Sequence, residues 1–166
     1  MGVGIMEVKL IGAKGLKRTD FLGRIDPYVM IQYRDEEYTS TTAKGQGRKP
    51  VWNEEFKFRV EFPSLDGSDD NQNNYKLNLR VFDHDTCSKD DFLGQSTIYV
   101  KDLIEIGLEK GKADFGTQKF RVILDDLSYQ GEIQVAITFT AKSETEQSEY
   151  LVEKENNGFF SWRRYL

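Results

Sequence analysis

The chain has 166 residues, a formal net charge of −5, 13% aromatic residues and a single cysteine. That length suits one domain able to bury a core without staples, and a lone Cys excludes an internal disulfide and fits a reducing compartment. The acidic balance argues against nucleic acid as a partner, the opening Met-Gly-Val-Gly-Ile-Met-Glu-Val lacks the basic and apolar regions of a signal peptide, and no apolar run approaches the ~18 residues needed to span a bilayer.

In chain order, the apolar pattern has period 2 in short runs separated by turn residues. Val8 and Leu10 alternate with Glu7 and Lys9, and residues 28–33 and 38–42 are rich in Tyr, Thr, Val and Ile. Phe56, Phe58, Val60 and Phe62 alternate with Lys57, Arg59 and Glu61; Leu77, Leu79 and Val81 alternate with Asn78 and Arg80. A shorter run covers 97–100, and Leu103, Ile104 and Leu108 then fall at helical spacing within 101–111, although Gly107 weakens that helix. Phe120, Val122 and Leu124 form one face of the next run, and Ile133, Val135, Ile137 and Phe139 form the cleanest alternation. The pattern predicts an all-β fold, an eight-stranded antiparallel β-sandwich with one short helix between strands 6 and 7. Trp52, Phe56 and Phe92 are expected in the core, and Asn53 and Glu54 as loop anchors.

Two segments differ in composition. Residues 64–74 are polar enough to be a loop, and the last stretch turns from Ser, Glu and Gln to an ending that holds Phe159, Phe160, Trp162, Arg163, Arg164, Tyr165 and Leu166. The expected division is a sandwich domain over 1–141 and a tail over 142–166, partly disordered or packed on the domain.

If each strand reverses the direction of the last, connections one, three, five and seven share an end. They hold residues 20–26, 43–54, 83–91 and 125–131, so two Asp-bearing loops about sixty residues apart in sequence converge in space. Asp83 and Asp85, two apart in an extended segment, point to one side; Gly23 lets the first loop turn back so that Asp20 and Asp26 address the same place. Clustered carboxylates repel each other unless some take up protons or a cation joins them. Calcium takes roughly six to eight oxygen ligands in a flexible shell, magnesium wants a stricter octahedron, and zinc or copper would want His or Cys, of which only His84 and Cys87 are present. Neither stretch has EF-hand spacing. The plainer alternative is that Asp is common in turns and caps.

The runs Asp26-Pro27-Tyr28-Val29, Lys49-Pro50-Val51-Trp52-Asn53-Glu54-Glu55-Phe56-Lys57-Phe58, and Val81-Phe82-Asp83-His84-Asp85 followed by Asp91-Phe92-Leu93-Gly94 resemble a C2 domain over about residues 5–140. Length and segment order look most like the small stand-alone plant members of that family, the phloem and elicitor-responsive group. The resemblance implies a sandwich that binds two or three calcium ions between its loops, with Asp20, Asp26, Asp83, Asp85 and Asp91 as ligands and the backbone carbonyls of Thr19 and His84 contributing. A domain that opens on the strand before the first loop and adds residues 132–140 at its end resembles the permuted, type II topology.

The function implied is calcium-dependent binding of anionic phospholipid membranes. Empty, the acidic end repels a negative surface; two calcium ions would add four positive charges and leave coordination positions for headgroup oxygens. Phe21 and Leu22 would insert at one loop tip, and Cys87 and Lys89 would stand at the other. Arg34, Lys44, Arg48 and Lys49 are candidates for the phosphoinositide-reading basic patch that many C2 domains carry, diluted by Asp35, Glu36 and Glu37. The expected location is cytoplasmic, peripheral on membranes when calcium binds. The rival reading is an adaptor that recruits a partner protein through the sandwich surface or the aromatic–basic tail. One His, one Cys, no Gly-x-Ser-x-Gly and no phosphate-cradling loop argue against an enzyme.

Overall fold

The first strand, β1 (Val3–Lys14), shows how the pattern becomes structure in the computed structural model, which describes residues 2–19, 24–61 and 72–142. Met6, Val8 and Leu10 are buried, and Glu7 and Lys9 between them are exposed, as a strand with one core face requires. The alternation breaks at Ile11, which the register skips between Leu10 and Gly12 against both neighbouring strands. This is a β-bulge. Gly12 allows it, because a Cβ there would stand 2.6 Å from the Pro50 carbonyl oxygen.

The remaining strands are β2 (Pro27–Tyr33), β3 (Glu36–Thr39), β4 (Val51–Glu61), β5 (Lys76–Asp83), β6 (Asp91–Tyr99), β7 (Lys112–Ile123) and β8 (Tyr129–Ala141), with α1 (Lys101–Lys110) between β6 and β7. All pairings among the described residues are antiparallel, in the order β3-β2-β5-β6-β7-β8-β1-β4. β6 and β7 share one register pair, Gln95 with Ile123, so the order bends there into two four-stranded layers. Gly94 forms the bend: its φ is +126°, and a Cβ would lie 2.4 Å from Val122 Cγ1. The outer strands of the two layers also approach each other. Tyr38 of β3 packs on Phe56 and Phe58 of β4 with ring centroids 5.9 and 5.1 Å apart.

Between the layers, Ile31, Leu79 and Val81 meet Val8, Ile137 and Phe139 in one hydrophobic cluster; each such side chain contributes about 1.5–3 kcal/mol by leaving water. Trp52 joins that core, and Phe56 packs against it half-buried. The helix departs from the expected face. Leu103, Ile104 and Gly107 are buried while Leu108 is exposed, because Gly107 lies against the Phe139 ring, where a Cβ would be 2.3 Å away. β6 begins at Asp91, several residues before the run at 97–100, and β3 ends at Thr39.

β8 lies beside β1, from Gly4 opposite Ala141 to Lys14 opposite Glu132. This is the type II order, with the first and last strands adjacent. Since neighbours are antiparallel throughout, odd-numbered strands run one way and even-numbered strands the other. The connections after β1, β3, β5 and β7 therefore gather at one end of the sandwich.

Candidate functional site

Connection one leaves β1 and is fixed on both sides of residues 20–23. Leu16 and Ile25 are buried in the core. Connection three, between β3 and β4, braces the same segment: Leu16 N donates to Arg48 O at 3.4 Å, Arg48 Nε donates to Leu16 O at 2.6 Å, and Gly47 N donates to Ile25 O at 3.1 Å. Pro27 O accepts from Ala43 N at 2.9 Å and from the Trp52 indole at 3.3 Å. Glu54 anchors connection three by accepting from the Thr41 amide at 2.8 Å and from its hydroxyl. Asp20, Phe21 and Leu22 lie outside the described residues.

Asp83, at the end of β5, joins connection one to connection five. One carboxylate oxygen accepts the Thr19 hydroxyl at 2.7 Å across 64 residues of sequence, and the other accepts the Asp26 amide at 2.8 Å across 57. Register explains the second bond, since Pro27 stands opposite Asp83 in the β2–β5 ladder. The two connections are tied again by His84 N donating to Asp26 O at 2.9 Å. The Asp26 carboxylate turns toward connection three, where it accepts the Gly45 amide at 2.6 Å.

Connection five is organised by its own carboxylates. Asp85 accepts from Ser88 Oγ at 2.7 Å and from Cys87 N at 2.9 Å, and these two donors hold its pKa below the ordinary carboxylate value. Asp90 was not foreseen as part of the site, yet it fixes the loop. It accepts the Asp85 amide at 2.9 Å and the Tyr28 hydroxyl, and His84 Nδ1 lies 3.5 Å away. The Asp85 amide, then the Tyr28 hydroxyl, lower the Asp90 pKa, while burial first and Asp90 second push the Tyr28 phenol up to about 12. Asp91, the first residue of β6, pairs in register with Asp83 and is exposed. The sequence signal for Asp90 was the Asp-Asp pair itself, because successive residues entering a strand face opposite sides.

Asp26, Asp83, Asp85 and Asp91 thus share one end, but Asp26 and Asp85 spend their oxygens on the loops' own donors. Among the described residues, no three His, Cys, Asp or Glu side chains form a group able to hold an ion. By donor type alone, aspartate oxygens would suit a hard cation and not zinc or copper. Thr19 is half-buried and His84 exposed, and Cys87 and Lys89 are exposed at the tip of connection five.

The expected basic patch is not gathered in one place. Arg34 sits in the β2–β3 connection at the opposite end, donating to Asn74 O at 3.3 Å, whereas Lys44, Arg48 and Lys49 lie in connection three. Alternating strand direction enforces that separation. Of the expected tail, 143–166 lie outside the described residues, so its aromatic–basic ending and the adaptor reading built on it do too. No helix among the described residues is long and apolar enough to cross a membrane.

The sequence profile of the C2 domain matches residues 4–115. The chain is 49% identical over 141 residues to 16 kDa phloem protein 1 of Arabidopsis thaliana, covering 84% of this chain and 86% of the relative. It is 48% identical over 148 residues to Elicitor-responsive protein 1 of Oryza sativa subsp. japonica, covering 87% and 89%. A solved C2 domain-containing protein from a putative elicitor-responsive gene superposes with a TM-score of 0.62 at 33% identity, over 87% of this chain and 95% of that one. The strand order, the helix between β6 and β7 and these likenesses agree, and the chain belongs to the C2 domain family.

Proposed function

We propose that this end of the sandwich binds calcium and, with calcium bound, attaches the protein to anionic phospholipid membranes. The observation that carries this reading is the Asp83 carboxylate, which holds connection one and connection five together through Thr19 and Asp26. The two connections that carry the candidate ligands are thereby held side by side.

Asp20, Asp26, Asp83, Asp85 and Asp91 would hold the ions, two or three in number, with carbonyl oxygens of Thr19 and His84. A carboxylate has about four acceptor positions. Asp83 uses two of them on Thr19 and Asp26, which leaves positions for a metal. Asp85 must exchange its bonds to Cys87 N and Ser88 Oγ in order to turn inward, and Asp26 its bond to Gly45 N. Binding therefore reshapes the tip of connection five, where Cys87 and Lys89 stand exposed and Lys89 can meet a phosphate. Bound calcium supplies positive charge and open positions for headgroup oxygens. The cytoplasmic leaflet is negative, and a local positive charge near it gains about 1 kcal/mol. Phe21 and Leu22 would add apolar insertion, and the protein would be cytoplasmic, peripheral on membranes when loaded.

A calorimetric calcium titration tests the site, repeated on Asp83→Asn combined with Asp85→Asn. The wild-type protein should release or absorb heat that the double variant does not, and vesicles containing phosphatidylserine should pull down the wild type with calcium but not with a chelator. Equal heats, or equal sedimentation with and without calcium, would refute the reading.

A further inference from the structure

Connection seven, residues 124–128 between β7 and β8, takes no part in the reading above, yet it opens at the same end. Gly131 places it there: the position of a Cβ on Gly131 is 3.0 Å from Gly15 O and 3.1 Å from Lys14 O, at the start of connection one. The Lys14–Glu132 ion pair, 3.0 Å long, closes the same junction.

Two apolar side chains leave this turn for solvent. Leu127 is 80% exposed and Tyr129 62% exposed. Leu127 also has a φ of +68°, in the left-handed region that a leucine enters only against its Cβ sterics. A turn needed merely to reverse the chain would use Gly or Asn there. Nor is the residue on a loose segment: Leu127 N donates to Leu124 O at 3.0 Å, Leu124 N to Ser128 O at 2.8 Å, and Ser128 N to Asp126 Oδ1 at 2.9 Å. Leu124 is itself buried. A fixed turn with a buried foot holds a large apolar side chain away from the protein.

The side chains flanking the tip suit a lipid surface. Arg121 stacks over the Tyr129 ring at 5.4 Å, a cation and an amphipathic ring of the kind that settles at headgroup level. The Ser128 hydroxyl and amide keep Asp126 ionised, and Lys17 stands close enough to lower its pKa further, so the turn's two acids, Asp125 and Asp126, are offset by Lys17 and Arg121. We infer that the β7–β8 turn is a further membrane contact, with Leu127 inserting and Tyr129 and Arg121 meeting the headgroups. The inference rests on the membrane reading of the preceding subsection and extends it to a loop that carries no candidate metal ligand.

The test uses the full chain and phosphatidylcholine–phosphatidylserine vesicles, with calcium or with a chelator. Leu127→Gly removes the side chain and suits the backbone, so its melting temperature should be unchanged or higher and its calcium heat without lipid that of the wild type. Its vesicle affinity in calcium should fall about tenfold, the loss expected for one partly inserted leucine. Leu127→Trp should keep the affinity and be quenched by lipids brominated in their acyl chains, over the background of the wild-type tryptophans. Wild-type affinity in Leu127→Gly, or an unquenched tryptophan at 127, overturns the inference and leaves calcium-dependent binding standing. That pair of results would leave a protein surface as the partner of the turn. A wild type that ignores vesicles in calcium overturns the membrane reading, and this inference with it.

Discussion

Asp83 should matter to the stability of the protein even when calcium is chelated. Its half-buried carboxylate accepts the Thr19 hydroxyl at 2.7 Å and the Asp26 amide at 2.8 Å. Hydrogen bonds to a charged acceptor are worth about 1.5–3 kcal/mol each. In Asp83→Ala the Thr19 hydroxyl can turn to water, but the Asp26 amide points at the space the carboxylate leaves. Removing one negative charge from an acidic end gives something back, about 1 kcal/mol or less at surface dielectric and ordinary salt. The net cost should be about 2–4 kcal/mol, which in a chain of this length lowers the melting temperature by roughly 5–15 °C. Asp83→Asn separates the two contributions, because its amide oxygen still accepts from Asp26 N while the charge is gone; its cost should be about 1 kcal/mol. Urea and thermal unfolding in chelator measure both. If Asp83→Ala unfolds with Asp83→Asn, or with the wild type, Asp83 does not join the two connections and the physical basis of the site is lost.

Gly94→Ala should cost several times more than an ordinary glycine replacement, about 3 kcal/mol or more, since the new Cβ meets Val122 Cγ1 at 2.4 Å and Ile123 O at 2.9 Å with φ at +126°; urea unfolding that shows a loss under 1 kcal/mol would contradict the bend between the layers. Tyr33 gives a pH signature. Burial raises its phenol pKa, against a smaller opposing pull from Arg34, and its hydroxyl donates to Asn74 O at 2.8 Å, a bond only the protonated form makes. The folded pKa thus lies above the unfolded value of about 10, so the stabilisation is complete below pH ~10 and is lost as pH rises through the folded value. Tyr33→Phe should cost about 1 kcal/mol at neutral pH and make stability fall less steeply above pH ~10. Parallel curves for the two proteins would exclude the effect.

Most of the strand pattern was legible because most strands have one face on the core; β3, with no buried residue, is the exception. Ile133, Val135, Ile137 and Phe139 alternate without interruption, and all four are buried in β8. Antiparallel neighbours then made the shared end of the odd-numbered connections a matter of counting. β6 was legible only in its second half. Leu93 is skipped by the register between Val81 opposite Gly94 and Phe82 opposite Phe92, and Leu93 and Gly94 are both buried, so period 2 fails where the strand begins. Gly107 looked like a weakness in a helix; its missing side chain is what lets the helix approach Phe139. The bonds at the site were hidden for a different reason. That Asp83 accepts from Asp26 follows from the pairing of β5 with β2, and no local spacing encodes which strands pair. Asp90 and Asp91 are chemically identical neighbours, and only the register, which sets Asp91 opposite Asp83, turns Asp90 toward Tyr28.

Counting charges treats the aspartates at this end as bare and mutually repelling, in need of a cation to coexist. The structure places donors against most of them: Gly45 N on Asp26, Thr19 Oγ1 and Asp26 N on Asp83, Cys87 N and Ser88 Oγ on Asp85, and Asp85 N and Tyr28 on Asp90. Donors of this kind favour the ionised form, which is why Asp85 and Asp90 sit below the ordinary carboxylate value with acids as neighbours. Asp85 and Asp90 therefore hold their charge through hydrogen bonds of the loop itself. On the proposed reading, a calcium ion entering this end would compete with hydrogen bonds and not merely cancel repulsion. Affinity should then depend on the donors as well as the ligands. Ser88→Ala, which frees one oxygen of Asp85 and adds no charge, should strengthen calcium binding in the same titration. A weaker site in that variant would mean that the turn at Asp85 prepares the ligand instead of restraining it.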